Sequence, residues 1–234
     1  MHRLLIIPAA GLGSRLGASK PKPLVEVDGR PMLDHLADRY APFVDHIVVI
    51  SHPAFSEEVR AWGDRRGKVS LTEQASPTGM LDAILLAAPF VERFTPRDVW
   101  ITWADQITVL PATLERLADV TSRTPAPALA LPTVKRRDPY THFERDESGR
   151  LRRFLQRRER DAMPRETFER DLPEYAREVP LGAATGERNF VPFVAWLAQR
   201  GHVETFPCTD PMEAIGINTP DDLRQVEDWL RARA

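Results

Sequence analysis

Apolar and polar positions alternate in two kinds of block along the first half of the chain. Short apolar runs, "RLLIIP" from Arg3, "HIVVI" from His46 and "VSLTEQ" from Val69, have the length of buried strands. Between and after them, "PMLDHLADRY", "FSEEVRAWGDR", "GMLDAILLAAPFV" and "PATLERLADV" carry apolar residues at helical spacing. "DVWITWADQ" reads as a further strand that ends in polar residues. Strands and helices in strict alternation predict parallel strands joined by right-handed crossovers, with helices on both faces of the sheet. From about residue 126 the rhythm changes. "APALALPTV" and "THFERDESGRLRRFLQRR" read as longer strands, the latter a hairpin turning at Glu147-Ser148-Gly149. A helix over "ERNFVPFVAWLAQR", a short strand "HVETFP" and a last helix from Thr219 to about Arg233 complete the pattern. No internal repeat or long linker divides it. The expectation is one α/β domain over 1–234, with a mixed, mostly parallel sheet and an added β-hairpin.

Composition narrows the partners. The 234 residues carry a formal net charge of -2, and the pI is about 6.3, so no global field draws the chain to nucleic acid or to a membrane surface. The arginines from Arg145 to Arg170 alternate with Asp and Glu and lack interleaved aromatics, the mark of a solvated charged face. No apolar run approaches the roughly 20 residues of a membrane helix, and the N-terminus enters a strand without a secretory h-region. One cysteine, Cys208, rules out an internal disulfide, and a cytoplasmic location is expected.

The stretch "PAAGLGSRLGASKPKPL" follows the first strand, where open α/β sheets place their ligands. Gly11, Gly13 and Gly17 let main-chain amides approach a ligand without a Cβ in the way. A strand-to-helix turn also presents unpaired N–H groups to anions. Arg15, Lys20 and Lys22 add cations, and two of the chain's four lysines fall in this one loop. "GLGSRL" has Leu16 where the dinucleotide pattern wants a third glycine or alanine, and there is no Gly-Lys-Ser/Thr of a P-loop.

The same stretch resembles the signature of nucleotidyltransferases that join an NTP to a sugar 1-phosphate: Gly-x-Gly-x-Arg, a spacer, then Pro-Lys-x-Leu. "EQASPTGMLDAILLA" is similar to that superfamily's base-reading segment, and "ITWADQ" to its strand ending in a metal-binding Asp. "DPYTHFERDESGRLRRFLQ" resembles its sugar-covering hairpin. "TGERNFVPFVAWLAQRG" and "MEAIGINTPDDL" resemble segments of N-acetylglucosamine-1-phosphate uridylyltransferase catalytic domains. The resemblance implies a single Rossmann-like (GT-A-like) domain in which 1–125 binds the NTP and 126–234 the sugar phosphate. It implies attack of a phosphate oxygen on the α-phosphorus of the NTP, with pyrophosphate leaving in line.

Carried over residue by residue, it assigns Arg15 to the β- and γ-phosphates and Lys22 to charge growing on the α-phosphate. Ala9, Ala10, Gly11, Leu12 and Gly13 become the triphosphate cradle. Gln74 and Gly79 read the base, Asp105 and Asn218 hold Mg²⁺, and Trp103, Gln156 and Glu187 meet the acceptor. From the residues alone, Asp105 reads equally as a helix N-cap, Asn218 as an Asx turn before Pro220, and Glu187 as a first-turn helix carboxylate.

The chain also departs from the pattern. Gly79-Met80 stands where the uridylyltransferases have Gly-Thr, and "QASPTGM" is closer to thymidylyltransferases, so UTP and dTTP both remain. Thr141-His142 and Gln156 replace a Gly and a Glu of the hairpin. The family's sugar-binding strand with its Asn has no apolar counterpart in "RRERDAMPRETFERDLPEY". That strand is therefore expected to be missing, or its residues near Met163 to Glu166 not to be in the chain. These departures leave room for a non-sugar acceptor such as phosphocholine or a polyol phosphate. A regulatory nucleotide-binding module without turnover is the other reading, and it leaves Lys22 without a purpose. With no hexapeptide repeat before Ala234, no acetyltransfer is expected.

Overall fold

A computed structural model describes residues 1–11, 16, 20–76, 78–134, 142–149, 151–155, 161–164, 167–178 and 187–233. The elements up to residue 125 are β1 (Arg3–Ala9), β2 (Glu26–Val27), β3 (Arg30–Pro31), α1 (Met32–Tyr40), β4 (His46–Ser51), α2 (Ser56–Arg66), β5 (Val69–Glu73), α3 (Met80–Leu85), α4 (Ala88–Phe94), β6 (Asp98–Ile101) and α5 (Pro111–Ser122). There follow β7 (Leu129–Thr133), β8 (His142–Arg145), β9 (Leu151–Leu155), β10 (Asp161–Pro164), α6 (Leu172–Glu178), α7 (Val191–Ala198), β11 (Val203–Pro207) and α8 (Pro220–Arg231).

Seven strands form one sheet in the order β11-β7-β10-β6-β1-β4-β5. All neighbours run parallel except β10, which is antiparallel to both β6 and β7. β1 lies between β6 and β4, and its Leu4, Leu5, Ile6 and Ile7 have no exposed surface. Their alternation splits the core. Leu5, Ile7 and Ala9 join the layer built by Leu33 and Leu36 of α1, Trp62 of α2, Leu117 of α5 and Val226 of α8. Leu4 and Ile6 join Leu81 and Ile84 of α3, Val91 of α4, Tyr175 of α6 and Phe193 of α7 on the other face. The α/β fold with helices on both faces is as the sequence predicts. The added hairpin β8–β9 is present too, closed by Gly149 N–H donating to Asp146 O at 2.9 Å.

Three boundaries differ from expectation. The helix expected over "GMLDAILLAAPFV" is two helices, α3 and α4, because Pro89 has no N–H to give to the Leu85 carbonyl. The strand expected through "DVWITWADQ" stops at Ile101. Thr102 N–H still reaches Ile6 O at 3.1 Å, after which Gln106 N–H turns back to Trp103 O at 3.2 Å. Asp105 therefore sits in a turn beyond the strand rather than at its end. The expected gap after the hairpin is also corrected: "DAMP", residues 161–164, is the strand β10, registered Asp161 to Ile101 through Pro164 to Asp98. Only Ala and Met in it are apolar, too few to register as a run. Its proline stands at the last position, paired in register with Asp98.

At the start of β4, the His46 ring packs on Phe94 with centroids 4.5 Å apart, and its Nε2 lies 2.8 Å from Ser70 Oγ. Burial, with a smaller push from the Arg93 cation, holds this imidazole below its ordinary pKa. The folded state prefers the neutral ring, so its contribution is present above the unfolded value of 6.5 and fades as pH falls through the depressed folded value. Wild type should lose about 2–4 °C of Tm more than His46→Gln between pH 7.5 and pH 5, measured by thermal unfolding.

Candidate active site

The site begins where β1 ends, at Ala9, followed by Ala10 and Gly11. Leu12, Gly13 and Arg15 lie outside the described residues. The chain re-enters in a 3₁₀ turn over Lys22–Leu24, closed by Leu24 N–H to Pro21 O at 2.8 Å and Val25 N–H to Lys22 O at 3.2 Å. Pro21 and Pro23, both buried, flank Lys22 and fix the torsions on either side. The lysine stem is thus launched from a stiff base.

Its ammonium donates to Asp105 Oδ2 at 2.7 Å and to Asn218 Oδ1 at 2.9 Å. Lys22 and Asp105 side chains are only 15% and 13% exposed, so the pair is only lightly screened by water. Each partner is itself held. The main chain of Ile217 donates to Asp105 O at 2.9 Å, tying the post-β6 turn to the segment before α8. Asn218 Nδ2 donates to Gly216 O at 2.9 Å, which turns Oδ1 toward the lysine. Asp222 accepts from the main-chain N–H of Asn218 and of Thr219 at 3.0 and 2.8 Å, while Thr219 caps α8.

A carboxylate oxygen and an amide oxygen that face one cation are hard donors, and their chemistry suits Mg²⁺. Among the described residues no group of three or more His, Cys, Asp or Glu side chains could hold a metal. A two-oxygen site fits an ion that keeps several waters and completes its shell with substrate phosphates.

A second group forms where β5 ends. Gln74 N–H continues the ladder to Ser51 O at 2.9 Å, and its Nε2 donates to Gly79 O at 3.1 Å and to Thr78 Oγ1 at 3.3 Å. The amide's donors are thus spent inside the turn, leaving the oxygen end. Gly79 has φ +114°, and a Cβ there would lie 2.3 Å from Arg188 O and 2.6 Å from Arg188 N. Arg188 N–H donates to Thr78 O at 2.8 Å, and Leu81 N–H donates to Arg188 O at 3.2 Å.

The structure therefore brings together Lys22, Asp105 and Asn218, and separately Gln74, Gly79 and the residue next to Glu187. Glu187 itself is half-buried. Trp103 is 6% exposed, and its ring meets Phe190 edge-on at 6.1 Å. Gln156 and Thr141 fall outside the described residues. Sequence reasoning missed Asp222, Arg188 and Asp82, the carboxylate to which Arg188 Nη1 donates at 3.1 Å. Asp222 was legible as a capping-box partner three residues after Thr219; nothing in the sequence pairs Arg188 with Asp82.

Comparison with known proteins matches residues 5–171 to the model of the MobA-like NTP transferase domain. The "Bifunctional protein GlmU" of Pelotomaculum thermopropionicum is 29% identical over 249 aligned residues, covering 100% of this chain and 53% of that protein. The proteins of the same name from Sorangium cellulosum and Alcanivorax borkumensis are 29% and 27% identical, each alignment covering 97% of this chain and 52% of the relative. The chain spans about half the length of these curated relatives.

Proposed function

Since the chain belongs to the MobA-like NTP transferase domain family and is a nucleotidyltransferase, we propose that it joins UTP or dTTP to a sugar 1-phosphate, releasing pyrophosphate. The observation that carries this reading is the single ammonium of Lys22 between Asp105 and Asn218. Two anions must meet for the reaction, so the protein's task is charge neutralisation and alignment. Lys22, on its proline-bracketed turn, meets the charge that grows on the α-phosphate. Arg15, by its place in the signature, grips the leaving pyrophosphate with a planar fork. Main-chain amides from Ala9 through Gly13 cradle the triphosphate. Asp105 and Asn218 hold Mg²⁺, which when bound neutralises phosphate charge. With its donors occupied, Gln74 offers Oε1 to the N3–H of uracil or thymine, a proton that cytosine lacks.

In this reading residues 1–125 serve the nucleotide and 126–234 the acceptor, with Trp103, Gln156 and Glu187 on the acceptor side. A non-sugar acceptor such as phosphocholine or a polyol phosphate stays as a second reading, favoured by one observation: β10 has no Asn in "DAMP". The single cysteine and net acidic charge fit a cytoplasmic enzyme. Among the described residues no helix is long and apolar enough to cross a membrane.

The test is pyrophosphate release with Mg²⁺, crossing UTP, dTTP, CTP and GTP against sugar 1-phosphates, phosphocholine and polyol phosphates. Release with UTP or dTTP and one sugar 1-phosphate is expected. Release only with a non-sugar phosphate moves the acceptor, and silence with every pair sinks the reading. For the metal, Asp105→Asn should weaken Mn²⁺ binding in the presence of UTP by at least about tenfold in an EPR titration. Equal affinity would remove Asp105 from the metal site.

A further inference from the structure

We infer that Arg188 is a positioning residue that locks the base-reading turn to the acceptor-binding segment, so that the two substrates are held in register by one strap. The inference rests on the reading of this site as a nucleotidyltransferase centre with Gln74 on the base and Glu187 on the acceptor.

The strap is continuous. Gln74 Nε2 donates to the Gly79 carbonyl at 3.1 Å. On either side of Gly79, the Arg188 main chain gives its N–H to Thr78 O at 2.8 Å and accepts Leu81 N–H at 3.2 Å. Gly79 alone permits this approach, since any Cβ would overlap Arg188 O at 2.3 Å. One peptide bond then separates Arg188 from Glu187. The main-chain bonds are available to any residue at 188, but the side chain adds an anchor. Nη1 lies 3.1 and 3.3 Å from the two oxygens of Asp82, in the first turn of α3, the helix that Gly79 starts. The strap is thereby clamped at both ends of the Gly79 turn.

Stability does not account for an arginine here. The pair is 40% exposed on the Arg188 side and 19% on the Asp82 side, so water weakens it. Meanwhile Arg188 Nε is buried with no hydrogen-bond partner among the described residues, a penalty that a shorter or apolar side chain would avoid. A group with little net effect on stability, placed between the proposed base reader and the proposed acceptor ligand, is explained by the geometry it imposes.

The experiment compares wild type with Arg188→Met, Arg188→Lys, Asp82→Asn and the Arg188→Met/Asp82→Asn double variant. Tm, kcat, both KM values and the Kd for UTP with Mg²⁺ in the absence of acceptor are measured for each. Arg188→Met keeps the apolar stem and removes the orphaned donor, so its Tm should stay within about 2–4 °C of wild type. Its KM for the acceptor and its Kd for UTP should each rise about three- to tenfold, with kcat changed less than about threefold. Asp82→Asn should match it, and the double variant should be no worse than either single one. Arg188→Lys should restore most of the loss, because one point charge facing both oxygens of Asp82 suffices. Unchanged KM and Kd in Arg188→Met, with wild type active, overturn the positioning role and leave the proposed function intact. A wild type inactive with every substrate pair overturns the proposed function, and the UTP Kd alone then decides the strap: no change in Arg188→Met rejects it.

Discussion

Replacing Lys22 with Ala should lower pyrophosphate release about 10²–10³-fold while the affinity for the NTP changes about tenfold or less. An interaction that strengthens as the α-phosphate gains charge lowers kcat when lost, whereas a ground-state phosphate contact raises KM. The turn that carries Lys22 does not depend on its side chain, since Pro21 and Pro23 hold it and its closing bonds are main-chain. The variant should therefore fold. It will be less stable, because Asp105 at 13% exposure loses the cation 2.7 Å away, a loss of about 1–3 kcal/mol. Circular dichroism and Tm separate that effect from the kinetic one. Arg is not a rescue: its planar fork is wider than the ammonium that fits between Asp105 and Asn218. Turnover unchanged in Lys22→Ala would remove Lys22 from the chemistry.

Gly79→Ala should be a severely damaging single-methyl change. The new Cβ would lie 2.3 Å from Arg188 O and 2.6 Å from Arg188 N, main-chain atoms that cannot swing aside as a side chain can. The left-handed torsion, φ +114°, adds about 1–3 kcal/mol of strain for a residue with a Cβ. Relief must come from separating the Gly79 turn from the Arg188 strap, which breaks the Leu81 and Thr78 bonds and moves the carbonyl that orients Gln74. Loss of UTP affinity by more than about tenfold, with a Tm lower by about 5 °C or more, is expected in calorimetry and thermal unfolding. Gly149→Ala is the matched control. Gly149 also has a positive φ, +83°, in the hairpin turn, but its Cβ would meet nothing within 4 Å. It should show the torsional cost without the loss of UTP binding. Equal behaviour of the two variants would mean that the close approach at Arg188 does not matter.

The pattern of the chain disclosed most of the first half because its strands are buried on both faces or alternate cleanly. β1 has four consecutive fully buried residues, and few other readings of "LLII" exist. α8 was legible from Thr219 and its capping partner Asp222. β10 was not, because a four-residue strand flanked by neighbours on both sides needs only two apolar residues to be held there. Its place is set by pairing to β6 and β7, which no local pattern records. The break between α3 and α4 was legible in principle at Pro89, but the apolar spacing ran through it and outweighed it. At the site, the residue types of Lys22, Asp105 and Asn218 were legible from the signature resemblance. Their meeting at one ammonium, across the whole length of the chain, is a product of sheet order. Trp103 carries a feature the sequence did not announce, an edge-on contact of its ring with Phe190.

The antiparallel strand in the middle of the sheet bears on the order in which the molecule can be made. β6 pairs with β1 on one side, but its other edge has no partner until β10, whose residues lie some sixty positions further on. During synthesis that edge is an open template for pairing with another chain, and it closes only once residue 164 has left the ribosome. β7 waits for the same strand and then for β11. Lys22 and Asn218, which meet at one ammonium, are made 196 positions apart. A polypeptide that stops short of Asn218 thus carries Lys22 and Asp105 without the Asn218 oxygen, and the three-way contact at the Lys22 ammonium can form only after that segment has been made.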